Sequence, residues 1–247
     1  MKENQLFLDK VFRKFRKTIE TYGLLSDGDR ILVGLSGGKD SLALLEMLGR
    51  KKQSPNPPFS LVALHVSMEN IPYKADVDYL KQFAEKCGAE FVHVTTSFDP
   101  STDKRKSPCF LCSWNRRKML FSVAKEMNCN KIALGHHLDD VLQTLMMNLT
   151  FQGSFGTMPP LLKMNKFDMT IIRPMSQIEE KDIQIMATLQ NYQKQEKNCP
   201  YEEDSHRSDM KELLCRMKEM NPNAANSMWN AMSNIQDEYL PKKILEE

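Results

Sequence analysis

The stretch Ile31-Leu32-Val33-Gly34-Leu35-Ser36-Gly37-Gly38-Lys39-Asp40-Ser41 constrains this chain more than any other. A short apolar run reads as a buried strand. It enters two adjacent glycines and passes at once into the helix-like run Leu42, Ala43, Leu44, Leu45, Met47, Leu48. Glycines let the backbone come close to a ligand and take angles that other residues avoid. The first N–H groups of the following helix have no partner inside the helix. Together with the helix dipole they form an anion site. Ser36 and Ser41 can add hydroxyls, and Lys39 a charge. Asp40 suits a phosphate site if its carboxylate holds Mg²⁺. The spacing is not Gly-x-x-x-x-Gly-Lys-Ser/Thr, nor is it Gly-x-Gly-x-x-Gly, so two common nucleotide loops are excluded.

The rest of the chain alternates in the same way. Strands are expected at 30–36, 60–66, 89–96 and 131–137, with helices over 5–22, 40–50, 75–87, 109–127 and 138–150. This pattern predicts an α/β fold: a doubly wound parallel sheet with helices on both faces. Ligands of such sheets bind at the carboxyl ends of the strands. The turns at Gly37-Gly38 and Gly135-His136-His137 should therefore share one edge. Residues 151–162, with two glycines and two prolines, read as a long loop. Residues 169–175 read as an edge strand stopped by Pro174. Helices are expected at 179–195, 207–220 and within 223–238. The organisation read from this is a basic N-terminal helix (1–28), a nucleotide-binding domain (29–178) and a C-terminal helical extension (179–247).

The 247 residues are 41% hydrophobic and 27% charged, which argues against disorder. No apolar run reaches the ~18 residues of a membrane span. The N-terminus is mixed apolar and charged, with no signal-peptide core, so the cytoplasm is the expected location. A net charge of +2 is too small to argue for nucleic acid by itself. Its distribution says more: Lys10, Arg13, Lys14 and Lys17 recur at helical spacing and would share a basic face.

Among the six cysteines, Cys109-Phe-Leu-Cys112 is the informative pair. From spacing alone it suits a zinc site completed by Cys199 and His206, or a thiol–disulfide redox pair. In "GHHLDD" (135–140), Asp139 and Asp140 stand where a helix begins. Carboxylates are favoured there, and capping alone would explain one of them.

Ser-Gly-Gly-x-Asp-Ser after a strand resembles the PP-loop of the ATP pyrophosphatases. The ordered set "PCFLCSWNRRKML" (108–120), "KIALGHHLDDVLQTLMMNL" (131–149), "GTMPP" (156–160), "IIRPMSQIEEKDI" (171–183) and Cys199 narrows this further. Over about residues 5–235 the chain resembles the tRNA 2-thiocytidine synthetase family of PP-loop enzymes. The resemblance implies that Ser36, Gly37, Gly38, Lys39, Asp40, Ser41, Gly135 and His136 bind ATP. It implies that Cys109, Cys112 and Cys199 hold a [4Fe–4S] cluster with one open iron, and that Asp40 holds Mg²⁺. Asp40, Asp139, Asp140 and Arg116 would serve the chemistry. Arg117 and Arg173, with the basic face of Lys10, Arg13, Lys14 and Lys17, would contact tRNA. In such a reaction the C2 oxygen of a cytidine, at tRNA position 32 in the family, attacks the α-phosphate. Pyrophosphate leaves, and sulfur then displaces AMP to give 2-thiocytidine. The implied partners are tRNA, a sulfur donor such as a cysteine desulfurase, and a second copy of the chain. Cys87, Cys129 and Cys215 match no ligand of the family and read as ordinary buried or partly buried residues.

The chain departs from the family pattern in three places. Ser113-Trp114-Asn115-Arg116-Arg117 lacks the first of the usual arginines, Glu202 stands where a fourth cysteine is common, and "ALHVSMEN" lacks an acidic residue. Two other classes compete with this reading. One is an adenylating PP-loop enzyme that forms an amide on another acceptor and carries a structural zinc. The other is a non-enzymatic ATP- and cluster-binding redox sensor. Iron with labile sulfide discriminates against the first, and tRNA-dependent pyrophosphate release against the second.

Overall fold

The computed structural model describes residues 2–54, 56–69, 75–99, 108–165, 168–195 and 206–241. Within these, the chain runs α1 (Lys2–Tyr22), β1 (Asp29–Gly34), α2 (Lys39–Lys52), β2 (Phe59–Met68), α3 (Val77–Lys86), β3 (Glu90–Thr96), α4 (Pro108–Glu126), β4 (Lys131–Ala133), α5 (Leu138–Phe151), β5 (Leu161–Lys163), β6 (Thr170–Ile172), α6 (Glu180–Leu189), α7 (His206–Met220) and α8 (Ala224–Ala231).

The strands form one six-stranded sheet of order β3-β2-β1-β4-β6-β5. All neighbours are parallel except β5 and β6, which are antiparallel. This is the expected doubly wound α/β sheet, with its order reversing between β1 and β4. The C-terminal ends of those two strands define the crevice where such sheets bind ligands. Two expectations are corrected. Residues 161 and 162, assigned to a loop, form β5 together with Lys163, and β5 rather than the 169–175 strand is the edge. Pro174 lies just beyond β6 and leaves its ladder intact, so that proline marked the strand's end and not an exposed side.

Alternation along the strands sends side chains to two cores. Ile31, Val33, Leu61 and Ala63 pack with Val11 and Phe15 of α1, Leu42, Leu45 and Leu48 of α2, Leu80 of α3 and Ile183 of α6. Leu32, Val62, Leu64 and Ile132 face the other way, against Val123 and Ala124 of α4. Each large aliphatic side chain so buried contributes about 1.5–3 kcal/mol. α1 is therefore bound to the sheet through Val11, Phe15 and Ile19, while Lys10, Arg13 and Lys17 remain exposed.

α6 ends earlier than its apolar pattern suggests. Asn191 takes a left-handed φ of 52°, and the Tyr192 N–H closes on Ala187 O at 3.0 Å, which stops the helix. The described chain divides into two compact units: Met1–Val141 with Met158–Glu203, and Leu142–Thr157 with Asp204–Glu247. In the second unit, α7 and α8 pack on one another, and the rings of Phe151 and His206 stack at 4.5 Å. No helix among the described residues is long and apolar enough to cross a membrane.

Candidate active site

The loop after β1 is braced by its own side chains. The Leu35 N–H donates to Leu64 O at 2.8 Å, which carries the β1–β2 pairing one residue past the strand. Gly37 takes φ +82°, a left-handed angle that favours glycine. Gly38 is the N-cap of α2 and supplies no side-chain cap. The Ser36 hydroxyl accepts the Gly38 N–H at 3.3 Å and meets the Ser41 hydroxyl at 3.2 Å, while Ser41 Oγ donates to Gly38 O at 2.9 Å. From the β4 side Gly135 closes tightly on this loop. A Cβ placed there would lie 3.1 Å from the Asp40 carbonyl carbon and oxygen, and 3.3 Å from the Ser41 nitrogen. The two turns expected on one edge are thus in contact.

Charges gather at the same point. Lys39 Nζ lies 3.1 Å from the Asp40 carboxylate and 3.2 Å from Glu180 Oε1. Burial disfavours its charged form, but the two carboxylates outweigh burial and hold its pKa above the ordinary lysine value. His137 is 5% exposed, with Nε2 3.4 Å from Asp140 Oδ2 and 3.9 Å from Asp40 Oδ1. The His137 N–H donates to Asp140 Oδ2 at 3.1 Å, and the Asp140 N–H donates back to His137 Nδ1 at 3.4 Å. This reciprocal pair caps α5. Asp139 Oδ2 accepts the Glu180 N–H at 2.7 Å and so caps α6, a helix far along the chain. Capping was expected to explain one of these aspartates; the structure gives each a helix start to cap. Arg173 is 6% exposed. Its guanidinium donates to Pro159 O at 2.7 Å and to His136 Nδ1 at 3.3 Å, and burial lowers its pKa from the ordinary arginine value. It therefore ties the "GTMPP" segment to the His136 turn and faces the protein rather than solvent.

The cysteine helix opens on the same sheet edge. Cys109 is exposed, and Cys112 packs with Leu111 against Met68, the last residue of β2, and Phe98, just past β3. Four residues on, ~6 Å along the helix, Arg116 lines a cavity of about 130 Å³ with Ser36, Leu35 and His65. Arg117, on the next position, is exposed. Cys109 and Cys112 are three apart on a helix and so share one face. They fit as two thiol donors, and Cys199 lies outside the described residues. No group of three His, Cys, Asp or Glu placed to hold a metal ion occurs among the described residues. Asp40, whose buried Oδ1 has no hydrogen-bond partner among the described residues, is chemically suited as one oxygen donor to Mg²⁺.

The other cysteines are dispersed. Burial pushes the Cys87 thiol up to about 12 and raises that of Cys129, which leaves both unreactive. Cys215, expected to be at least partly buried, is exposed on α7. Lys14 pairs with Asp182 at 2.9 Å and is half-buried, unlike the other three residues of the basic face. His206, weighed as a zinc ligand, begins α7 in the second unit with Nδ1 3.3 Å from Asp209.

Two residues of this region lie in segments quoted from the sequence but were not singled out there. Glu180 reaches Lys39 only through tertiary folding. His65 is 1% exposed, with Nδ1 donating to Leu35 O at 2.8 Å, and its Nε2 has no hydrogen-bond partner among the described residues. Its place in the cavity beside Ser36 and Arg116 could not be read from a lone histidine inside an apolar strand.

The family model of the PP-loop domain matches residues 8–215. The tRNA-cytidine(32) 2-sulfurtransferase of Syntrophotalea carbinolica is 34% identical over 240 residues, covering 94% of this chain and 93% of its own length. That of Geobacter sulfurreducens is 34% identical over 247 residues, with 95% of each chain covered. Among solved structures, the U34-tRNA thiolase NcsA from Methanococcus maripaludis with its [4Fe–4S] cluster superposes with a TM-score of 0.79 at 28% identity. The match covers 96% of this chain and 82% of NcsA. With the loop, the paired turns and the cysteine helix all on one sheet edge, the chain belongs to the PP-loop family, among the tRNA-cytidine(32) 2-sulfurtransferases.

Proposed function

We propose that the protein is an ATP-dependent tRNA sulfurtransferase that converts cytidine 32 to 2-thiocytidine, releasing pyrophosphate and AMP. The observation that carries this reading is the sharing of one sheet edge by the Gly37-Gly38 loop and the start of α4, with Arg116 of that helix beside Ser36. The loop amides and Lys39 bind the β- and γ-phosphates and stabilise charge on the leaving pyrophosphate. Asp40 would hold the Mg²⁺ that accompanies ATP. Arg116 orients the α-phosphate, and Gly135 and His136 bound the loop from the end of β4. Asp139 and Asp140 act by fixing the starts of α6 and α5 around the loop, and Arg173 acts through His136. Cys109, Cys112 and Cys199 would hold a [4Fe–4S] cluster, which would supply the sulfur chemistry at this edge of the sheet.

The target nucleotide must leave its stack to reach such a site, which suits an unpaired loop base. Lys10, Arg13, Lys17 and Arg117 are exposed cations suited to tRNA phosphates. The cytoplasm, a cysteine desulfurase as sulfur donor and assembly as a homodimer complete the reading. The test is the iron, sulfide and zinc content of anaerobically purified protein, beside Cys109→Ala, Cys112→Ala and Cys199→Ala. About four iron and four sulfide per chain, lost in each variant, is the expected result. One zinc without iron would replace this reading with an adenylating enzyme that carries a structural metal.

A further inference from the structure

The geometry points to Glu180 as a positioning residue that competes with pyrophosphate for Lys39 and so governs how readily the product leaves. This inference rests on the proposed phosphate role of the Gly37–Ser41 loop. Lys39 Nζ sits between two carboxylates, Asp40 at 3.1 Å and Glu180 at 3.2 Å. Asp40 adjoins Lys39 in the chain and moves with the loop. Glu180 comes from the start of α6, and its place is fixed from a third element, α5, since its own N–H is held by Asp139 Oδ2 at 2.7 Å. The Glu180 side chain is 18% exposed, so its charge is only partly screened. A pyrophosphate bound at the loop must share the ammonium with that carboxylate or take the ammonium from it. Without Glu180, Asp40 alone would share the ammonium, and the loop amides with Lys39 would hold the product more tightly. The run Asp139–Glu180–Lys39 thus ties the "GHHLDD" turn to the phosphate loop by positioning alone.

Isothermal titration of the full-length protein with inorganic pyrophosphate, without divalent metal, tests this. Glu180→Gln keeps the backbone N–H that Asp139 holds and should bind pyrophosphate about three- to tenfold tighter than the native chain. Glu180→Asp, with its carboxylate drawn back by one methylene, should fall between the two. Unchanged or weaker binding in Glu180→Gln, with Lys39→Ala weakened as expected, overturns this inference alone. If Lys39→Ala binds pyrophosphate as the native chain does, the loop is not the phosphate site and the proposed function falls with it. In tRNA thiolation assays, Glu180→Gln should show stronger product inhibition by pyrophosphate, which a merely structural loss would not produce.

Discussion

Gly135 stands where β4 gives way to the "GHHLDD" turn, and the absence of a side chain there decides whether two turns can touch. A methyl group would come to 3.1 Å from the Asp40 backbone, which belongs to the first turn of α2 and cannot swing aside as a flexible side chain can. Gly135→Ala must therefore push the two turns apart, at a cost of about 1–3 kcal/mol. The urea midpoint should fall accordingly, and ATP-dependent pyrophosphate release should drop by about two- to fivefold, since the few tenths of an ångström by which the loop must give are a fraction of the ~1 Å misplacement that costs about 10² in rate. Native-like release in this variant would mean that the contact does not hold the loop. His65 makes a different prediction, through pH. Burial, with Arg116 and His93 nearby, outweighs the Leu35 hydrogen bond and depresses its pKa below 6.5. The folded state keeps the ring neutral where the unfolded chain takes up a proton. The contribution of His65 to stability is therefore complete above pH 6.5 and is lost as pH falls below it, by at most about 1.4 kcal/mol per pH unit. Urea titrations from pH 7.5 to 5 should show a shallower decline in His65→Asn than in the native chain.

Among the elements, what could be read from the sequence was what is local. The apolar run 31–33, the two glycines and the helix that follows announce themselves within a dozen residues, and the structure builds them as β1, loop and α2. β5 escaped because three residues after Pro159-Pro160, one half-buried and two exposed, carry no alternation worth reading; β6 makes them a strand through partnership. α6 was overextended because its polar and apolar pattern continues past Gln190, whereas the left-handed turn at Asn191 ends it. At the site, the phosphate loop and the "GHHLDD" turn were legible as motifs. The reach of Asp139 to α6 was not, since it joins residues 41 apart whose proximity only the sheet order creates. The two aspartates, identical in the sequence as acidic residues opening a helix, now predict different losses. Asp140→Ala removes the reciprocal cap of α5 and should lower stability by about 0.5–2 kcal/mol, read as a shift in urea midpoint. Asp139→Ala uncaps α6, so its effect should extend to Glu180 and Lys39. Pyrophosphate affinity should then change in this variant and stay native in folded Asp140→Ala. Equal behaviour of the two would deny Asp139 its positioning role.

For the molecule as a whole, a net charge of +2 hides an uneven distribution, and function depends on where the cations lie. α1 buries Val11, Phe15, Thr18 and Ile19 on its inner face, which turns the opposite face of the helix to solvent. Lys10, Arg13 and Lys17 occupy that outer surface, and because α1 is packed into the core its charges are held at fixed spacing. Lys14 differs, since its ammonium is already engaged by Asp182 at 2.9 Å. A tRNA backbone laid along this helix would release counterions for each phosphate neutralised, so affinity should fall linearly with the logarithm of salt concentration. Replacing Lys10, Arg13 and Lys17 together by alanine should reduce the magnitude of that slope by about 2–3, roughly one for each phosphate left without its cation. Lys14→Ala should change the slope least, because it removes a cation whose charge is largely answered within the protein. Filter binding of tRNA between low and moderate salt reads both effects. ATP binding, measured in parallel, should be the same in the triple variant, since these side chains lie on the outer surface of α1 and the phosphates are held by the loop. A native slope in the triple variant would move the RNA surface away from α1 and leave the exposed Arg117, on the cysteine helix, as the next place to look.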